Sequence, residues 1–105
     1  MNRPMRIMFL SLLAASLAVP ALAQSGADTY KAKCAMCHGA DGLASGSMGK
    51  MLKVPSFKSP DLVKAPDSEL IDATKNGKGK MPSYNGKLTD AQIREVIAYI
   101  RTLQK

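Results

Sequence analysis

Tryptophan is absent from this chain, histidine occurs once and cysteine twice. A structural zinc site wants four Cys or His ligands and only three are on offer, so zinc is poorly served. Beyond residue 23 the aromatic side chains are Tyr30, Phe57, Tyr84 and Tyr99, thin material for a core. No stretch alternates apolar and polar residues as a half-buried strand does, which leaves an all-α domain. The same lack removes the strand-helix-strand units that a thioredoxin-like dithiol would need. There is no internal repeat, no low-complexity segment and no nucleic-acid recognition motif. The apolar run Ile7–Val19, broken only by Ser11 and Ser16, is short against the roughly 20 residues of a membrane-spanning helix.

What the chain does have is concentrated. Both cysteines and the histidine lie in Cys34-Ala35-Met36-Cys37-His38. Read as C-x-x-C-H, this is the attachment signal for a covalently bound c-type haem. Two thiols three positions apart can each add to one vinyl group of the same porphyrin, and the imidazole that follows is held beneath the iron as proximal ligand. A redox dithiol or a local disulfide remains an alternative reading of the two cysteines.

The N-terminus reads as an export signal. Arg3 and Arg6 form a positive n-region, Ile7–Val19 the apolar core, and Ala21-Leu22-Ala23 supplies small residues at the two positions a signal peptidase reads. Cleavage after Ala23 leaves 82 of the 105 residues, one small domain (24–105) starting at Gln24 and with no lasting membrane anchor. Domains of this size bury only about 60% of their unfolded surface, and many rely on a metal or a disulfide. A buried porphyrin would supply the missing apolar plate. Export also suits the chemistry, because bacteria attach c-type haem outside the cytoplasmic membrane, and it places the protein in the periplasm.

Charge leans one way. Without Arg3 and Arg6, 13 basic residues face 8 acidic ones, a net charge of +5, and Lys75, Lys78, Lys80 and Lys87 bracket one short region. Such a surface suits an acidic protein partner or serves solubility alone; export argues against nucleic acid.

The helices can be placed from local signals. Ser25 with Asp28 resembles a capping box and opens a helix running to Met36, which carries Gly26, Tyr30 and Cys34 on one stripe. Glycines at 39, 42, 46 and 49 indicate a loop region as far as Phe57. Ser59-Pro60-Asp61 opens a short turn with Pro at N1. A helix from Pro66 or Asp67 to Lys75 follows, ended by Asn76-Gly77. Thr89 and Gln92 form a capping box, and Ile93, Val96, Ile97, Ile100 and Leu103 give the last helix its apolar face.

A haem iron held by His38 has one axial position left. Met36 lies inside the attachment loop, and Met48 and Met51 lie in the glycine-rich segment close behind it. Met81 stands 43 residues after His38, between two predicted helices and beside the rigid Pro82, so its segment can pass the porphyrin edge and reach the far side. Methionine ordinarily fills gaps in cores. Met81, alone among Gly79, Lys80, Pro82 and Ser83, has no apolar stripe to join, so it is the predicted sixth ligand, with Met51 as the fallback.

With these residues in view, the chain resembles the class I c-type cytochromes, especially the small bacterial monohaem ones. The likeness covers nearly all of Ser25 to Leu103. It rests on Gly26-x-x-x-Tyr30-x-x-x-Cys34, on Cys37-His38-Gly39, on Gly79-Lys80-Met81-Pro82-Ser83-Tyr84 and on the terminal helix with Ile97-Ala98-Tyr99-Ile100. The resemblance implies three to four helices packed around one covalent haem. It implies a close crossing of the first and last helices, with Gly26 and Tyr30 meeting Val96 and Tyr99. It also implies a proline carbonyl accepting the Nδ1–H of His38, and Pro55 is the positional match.

The function so implied is a single-electron carrier of the periplasm, not an enzyme and monomeric by default, in which His38 and Met81 fill both axial sites of an iron cycling between Fe(II) and Fe(III). Two other readings share the motif. One is a haem enzyme or small-ligand sensor with a displaceable sixth ligand, for which no second His or Arg-rich distal group is present. The other is an electron-transfer subunit dedicated to one dehydrogenase or oxidase.

Overall fold

The computed structural model of the chain describes residues 25–105. The export signal and its cleavage point at Ala23 lie outside the described residues. Six helices follow one another: α1 (Gly26–Lys33), α2 (Ala35–His38), α3 (Ser47–Met51), α4 (Pro60–Lys64), α5 (Asp67–Asn76) and α6 (Asp90–Leu103). Among the described residues there is no strand beyond isolated bridges at Lys78–Met81 and Asn85–Leu88. No helix there is long and apolar enough to cross a membrane. The domain is all-α. The number of helices exceeds the three to four expected because α2, α3 and α4 are single turns of 4, 5 and 5 residues.

Local chemistry accounts for most ends. Ser25 caps α1, its Oγ accepting from the Asp28 backbone N–H at 3.2 Å. The capping box of α6 is complete: Thr89 Oγ1 accepts from Gln92 N at 3.1 Å, and Gln92 Oε1 accepts from Thr89 N at 2.8 Å. Pro60 opens α4 from N1, and Gly77, at φ 81°, ends α5.

Two features depart from the sequence reading. The first helix does not run unbroken to Met36. It stops at Lys33, Cys34 bends to φ −118° and ψ −34°, and α2 restarts as one turn bearing Cys37 and His38. The glycine-rich segment also holds a helical turn, α3. Backbone proximity positions it, since a Cβ on Gly49 would overlap the carbonyl oxygens of Ala44 and Cys37.

The core is small. Ile93, Val96, Ile97 and Ile100 of α6 are all but fully enclosed, and Tyr30, Phe57, Leu70 and Leu88 close around them. Both α1 and α5 pack on α6. The crossing of α1 with α6 is tight at Gly26, where any Cβ would meet Glu95 and Tyr99. Arg101 ties α6 to the α4–α5 corner, donating to the carbonyls of Leu62 (3.1 Å) and Ala65 and pairing with Asp67 at 2.9 Å.

Candidate functional site

A cavity of about 480 Å³ opens between these helices. Cys34, Cys37 and His38 line it from the α1–α2 corner, and Leu70 and Thr74 from α5. Val96, Ile97 and Ile100 line it from α6, and Met81, Pro82 and Tyr84 from the segment after α5. The apolar stripe of α6 therefore serves the core and the cavity wall at once. Sequence positions far apart, the C-x-x-C-H motif and Met81, arrive at one cleft.

His38 presents its imidazole on the cavity wall. Burial pushes its imidazole below the ordinary value of about 6.5, so the ring is neutral at pH 7 with a lone pair available. Its ring stacks on Phe57 with centroids 4.4 Å apart and planes 16° apart. Its Nδ1 is buried and has no hydrogen-bond partner. Pro55 lines the same cavity, but no bond joins its carbonyl to that nitrogen.

The thiols argue against dithiol chemistry. Both are free, and burial pushes the Cys34 thiol up to about 11. A redox-active cysteine works through a thiolate favoured by a depressed pKa, the opposite of what Cys34 has.

Exposure separates the methionines. Met36 is 80% exposed, Met51 71% and Met48 38%, and none of the three lines the cavity. Met81 does. Two thiols at porphyrin spacing, a neutral imidazole beside them and one thioether on the same apolar cleft are a donor set that fits a covalently attached haem.

Comparison with known proteins agrees. Residues 21–100 match the family described as "Cytochrome C oxidase, cbb3-type, subunit III". The chain belongs to the c-type cytochromes. It is 36% identical over 83 residues to cytochrome c6 of Picosynechococcus sp., covering 74% of this chain and 70% of that protein. With cytochrome c6 of Thermostichus vulcanus it shares 33% over 96 residues, 89% of this chain and 79% of the relative. The cbb3-type cytochrome c oxidase subunit CcoP of Cereibacter sphaeroides is 33% identical over 85 residues, 79% of this chain but 28% of that larger subunit. Among solved structures, the KustC0563 c-type cytochrome superposes with a TM-score of 0.71 at 25% identity, covering 78% of this chain and all of the other. The cofactor of this c-type cytochrome is accordingly one covalent haem c, and Cys34 and Cys37 are the two thiols present to bind it.

Other residues of the cytochrome's site escaped the sequence reading. Phe57, which stacks on His38, sits in the loop stretch with no periodicity to mark it. Thr74, expected with Leu70 and Ile71 on the buried side of α5, is buried as expected and donates from Oγ1 to the Leu70 carbonyl at 2.8 Å, which lets a polar residue line an apolar wall. Lys33, Lys53, Lys78 and Lys80 stand around the cavity with a single acidic residue, Glu69. Lys33 and Lys53 come from segments that sequence alone did not bring to the lysine cluster.

Proposed function

We propose that this cytochrome is an exported single-electron carrier that works in the periplasm after cleavage behind Ala23. Bound through thioether links at Cys34 and Cys37, the haem supplies an iron centre that gains and loses one electron. The chain's part would be to hold that iron with two of its own side chains. His38 would bind it through one ring nitrogen and Met81 through its thioether, a soft donor that favours Fe(II). With both side chains bound, no open site would be left for a substrate, which is why the reading is a carrier rather than an enzyme. The carbonyl of Pro55 is proposed to accept the otherwise unpartnered Nδ1–H of His38, fixing the ring and strengthening it as a donor.

The observation that carries the reading is that Met81, alone among the methionines of the described residues, lines the cavity with Cys34, Cys37 and His38. The lysines at the cavity, Lys78 and Lys80 among them, suit a redox partner with an acidic docking surface, speeding encounter more than tightening the complex.

The test is the visible spectrum of protein made in a strain that attaches haem. The wild type should show a sharp reduced α-band and a weak red Fe(III)–sulfur band, and Met81→Ala should lose the latter. Survival of the sulfur band in Met81→Ala would move ligation to another methionine. A colourless wild type would return Cys34 and Cys37 to thiol chemistry.

The match to a cbb3-type oxidase subunit family favours a second reading, an electron-transfer subunit attached to one oxidase. Co-purification with a membrane oxidase separates the two, since a free carrier held to its partner by charge alone leaves the membranes when salt is added.

A further inference from the structure

The segment bearing Met81 is fastened to the rest of the molecule at several points. Lys78 and Met81 exchange backbone hydrogen bonds of 3.1 and 2.9 Å, closing a four-residue turn with Gly79 at φ 57°. Beyond the turn, Ser83 Oγ donates to the Lys75 carbonyl at 2.6 Å. The backbone N–H groups of Tyr84 and Asn85 donate to the carbonyls of Thr74 and Lys75 at 3.1 and 3.0 Å. The bonds from Ser83, Tyr84 and Asn85 all lead to the last turn of α5, one wall of the cavity.

One hydrogen bond carries the segment across to the other wall. Tyr84 Oη donates to the carbonyl of Lys33 at 2.9 Å, joining residues 51 apart. Lys33 is the last residue of α1, so its carbonyl has no partner further along the helix, and the next residue is Cys34. Because α1 and α5 each pack on α6, this bond bridges the two walls directly.

We propose that Tyr84 is a positioning residue, whose hydroxyl, latched to the Lys33 carbonyl, holds the Met81 segment closed over the cavity beside the haem-attachment corner. The proposal rests on Met81 being the sixth ligand and adds what governs how often its sulfur leaves the iron. Any swing of the Met81 segment away from the α1–α2 corner breaks the latch, so the latch weights the closed state. A hydrogen bond of this kind contributes a net free energy that corresponds to a factor of about 2 to 10 in such an equilibrium. The ring of Tyr84 lines the cavity, and Tyr84→Phe keeps that packing while deleting the hydroxyl.

The experiment is cyanide binding to the loaded ferric protein, because cyanide must wait for Met81 to leave. At a fixed cyanide concentration Tyr84→Phe should bind about fivefold faster than wild type, with its thermal midpoint lowered by no more than the roughly 4–8 °C that one such hydrogen bond accounts for in a domain of this size. Tyr84→Leu, which also lacks the hydroxyl, should bind at least as fast. In a Met81→Ala background the same substitution should change the rate less than twofold, since there is no sulfur left to hold. Equal rates for wild type and Tyr84→Phe would overturn the latch. So would an undiminished acceleration in the Met81→Ala background, which would make Tyr84 a barrier to entry. Failure of the ligand assignment reads separately, as a sulfur band that survives Met81→Ala.

Discussion

Gly26 and Glu95 meet backbone to backbone: a Cβ built on Gly26 overlaps the Glu95 carbonyl oxygen and also presses on the Tyr99 Cβ at 3.3 Å. The obstacle is a helix backbone and cannot rotate aside. Gly26→Ala should therefore force α1 away from α6 and cost about 1–3 kcal/mol in chemical denaturation of the loaded protein. Gly46→Ala is the control, because no atom lies within 4 Å of its Cβ position, and it should stay within about 0.5 kcal/mol of wild type.

Filling the cavity matters more than any single contact. The cavity of about 480 Å³ opens to solvent, so without a cofactor its largely apolar walls meet water, a loss of burial that a domain this small tolerates poorly. Cys34→Ser/Cys37→Ser, which cannot retain haem covalently, should lack a cooperative thermal transition and near-UV dichroism. A sharp transition in the haem-free variant would show that α1, α5 and α6 suffice alone.

Tyr30 sets an alkaline limit. Its hydroxyl donates to the Gly39 carbonyl at 2.5 Å, and burial first, then the nearby Cys34, Tyr99 and Asp41, raises its pKa far above the ordinary value of about 10. Above pH 10 the unfolded chain loses this proton while the folded one keeps it. The group's contribution to stability is thus complete below about pH 10 and declines as pH rises beyond it. Tyr30→Phe should be less stable than wild type at pH 8 by about 1 kcal/mol. Its stability should fall less steeply between pH 10 and 11, and parallel curves would rule the linkage out.

The lysines around the cavity predict a rate effect. Lys78→Glu/Lys80→Glu should slow electron transfer to an acidic partner at low ionic strength and leave the absorption spectrum as it is. The difference should shrink as salt is added and the Debye length falls to about 8 Å at physiological strength. Identical rates and salt slopes in the two proteins would reduce these lysines to solubilising charge.

Legibility in the sequence followed the range of the interactions. The Thr89–Gln92 box, the Gly77 stop and Pro60 at N1 depend on residues a few positions apart, and all three stand where local rules put them. The approach of Gly26 to α6 was implied by family resemblance and is present. Invisible beforehand were the bend at Cys34, the turn of α3 and the stacking of Phe57 on His38. Each depends on a partner elsewhere in space: Gly49 is helical because it can lie against Ala44 and Cys37, and nothing within α3 itself says so. Arg101 likewise looks like a surface charge on an amphipathic helix until α4 and α5 present their carbonyls and Asp67 to it.

Cys34 is only 9% exposed and lines the cavity. A sulfur so placed, once joined to the porphyrin, would meet bulk solvent only by way of the cleft that the cofactor itself fills. The fold would thus shelter one of the two covalent links to its cofactor from reagents in solution.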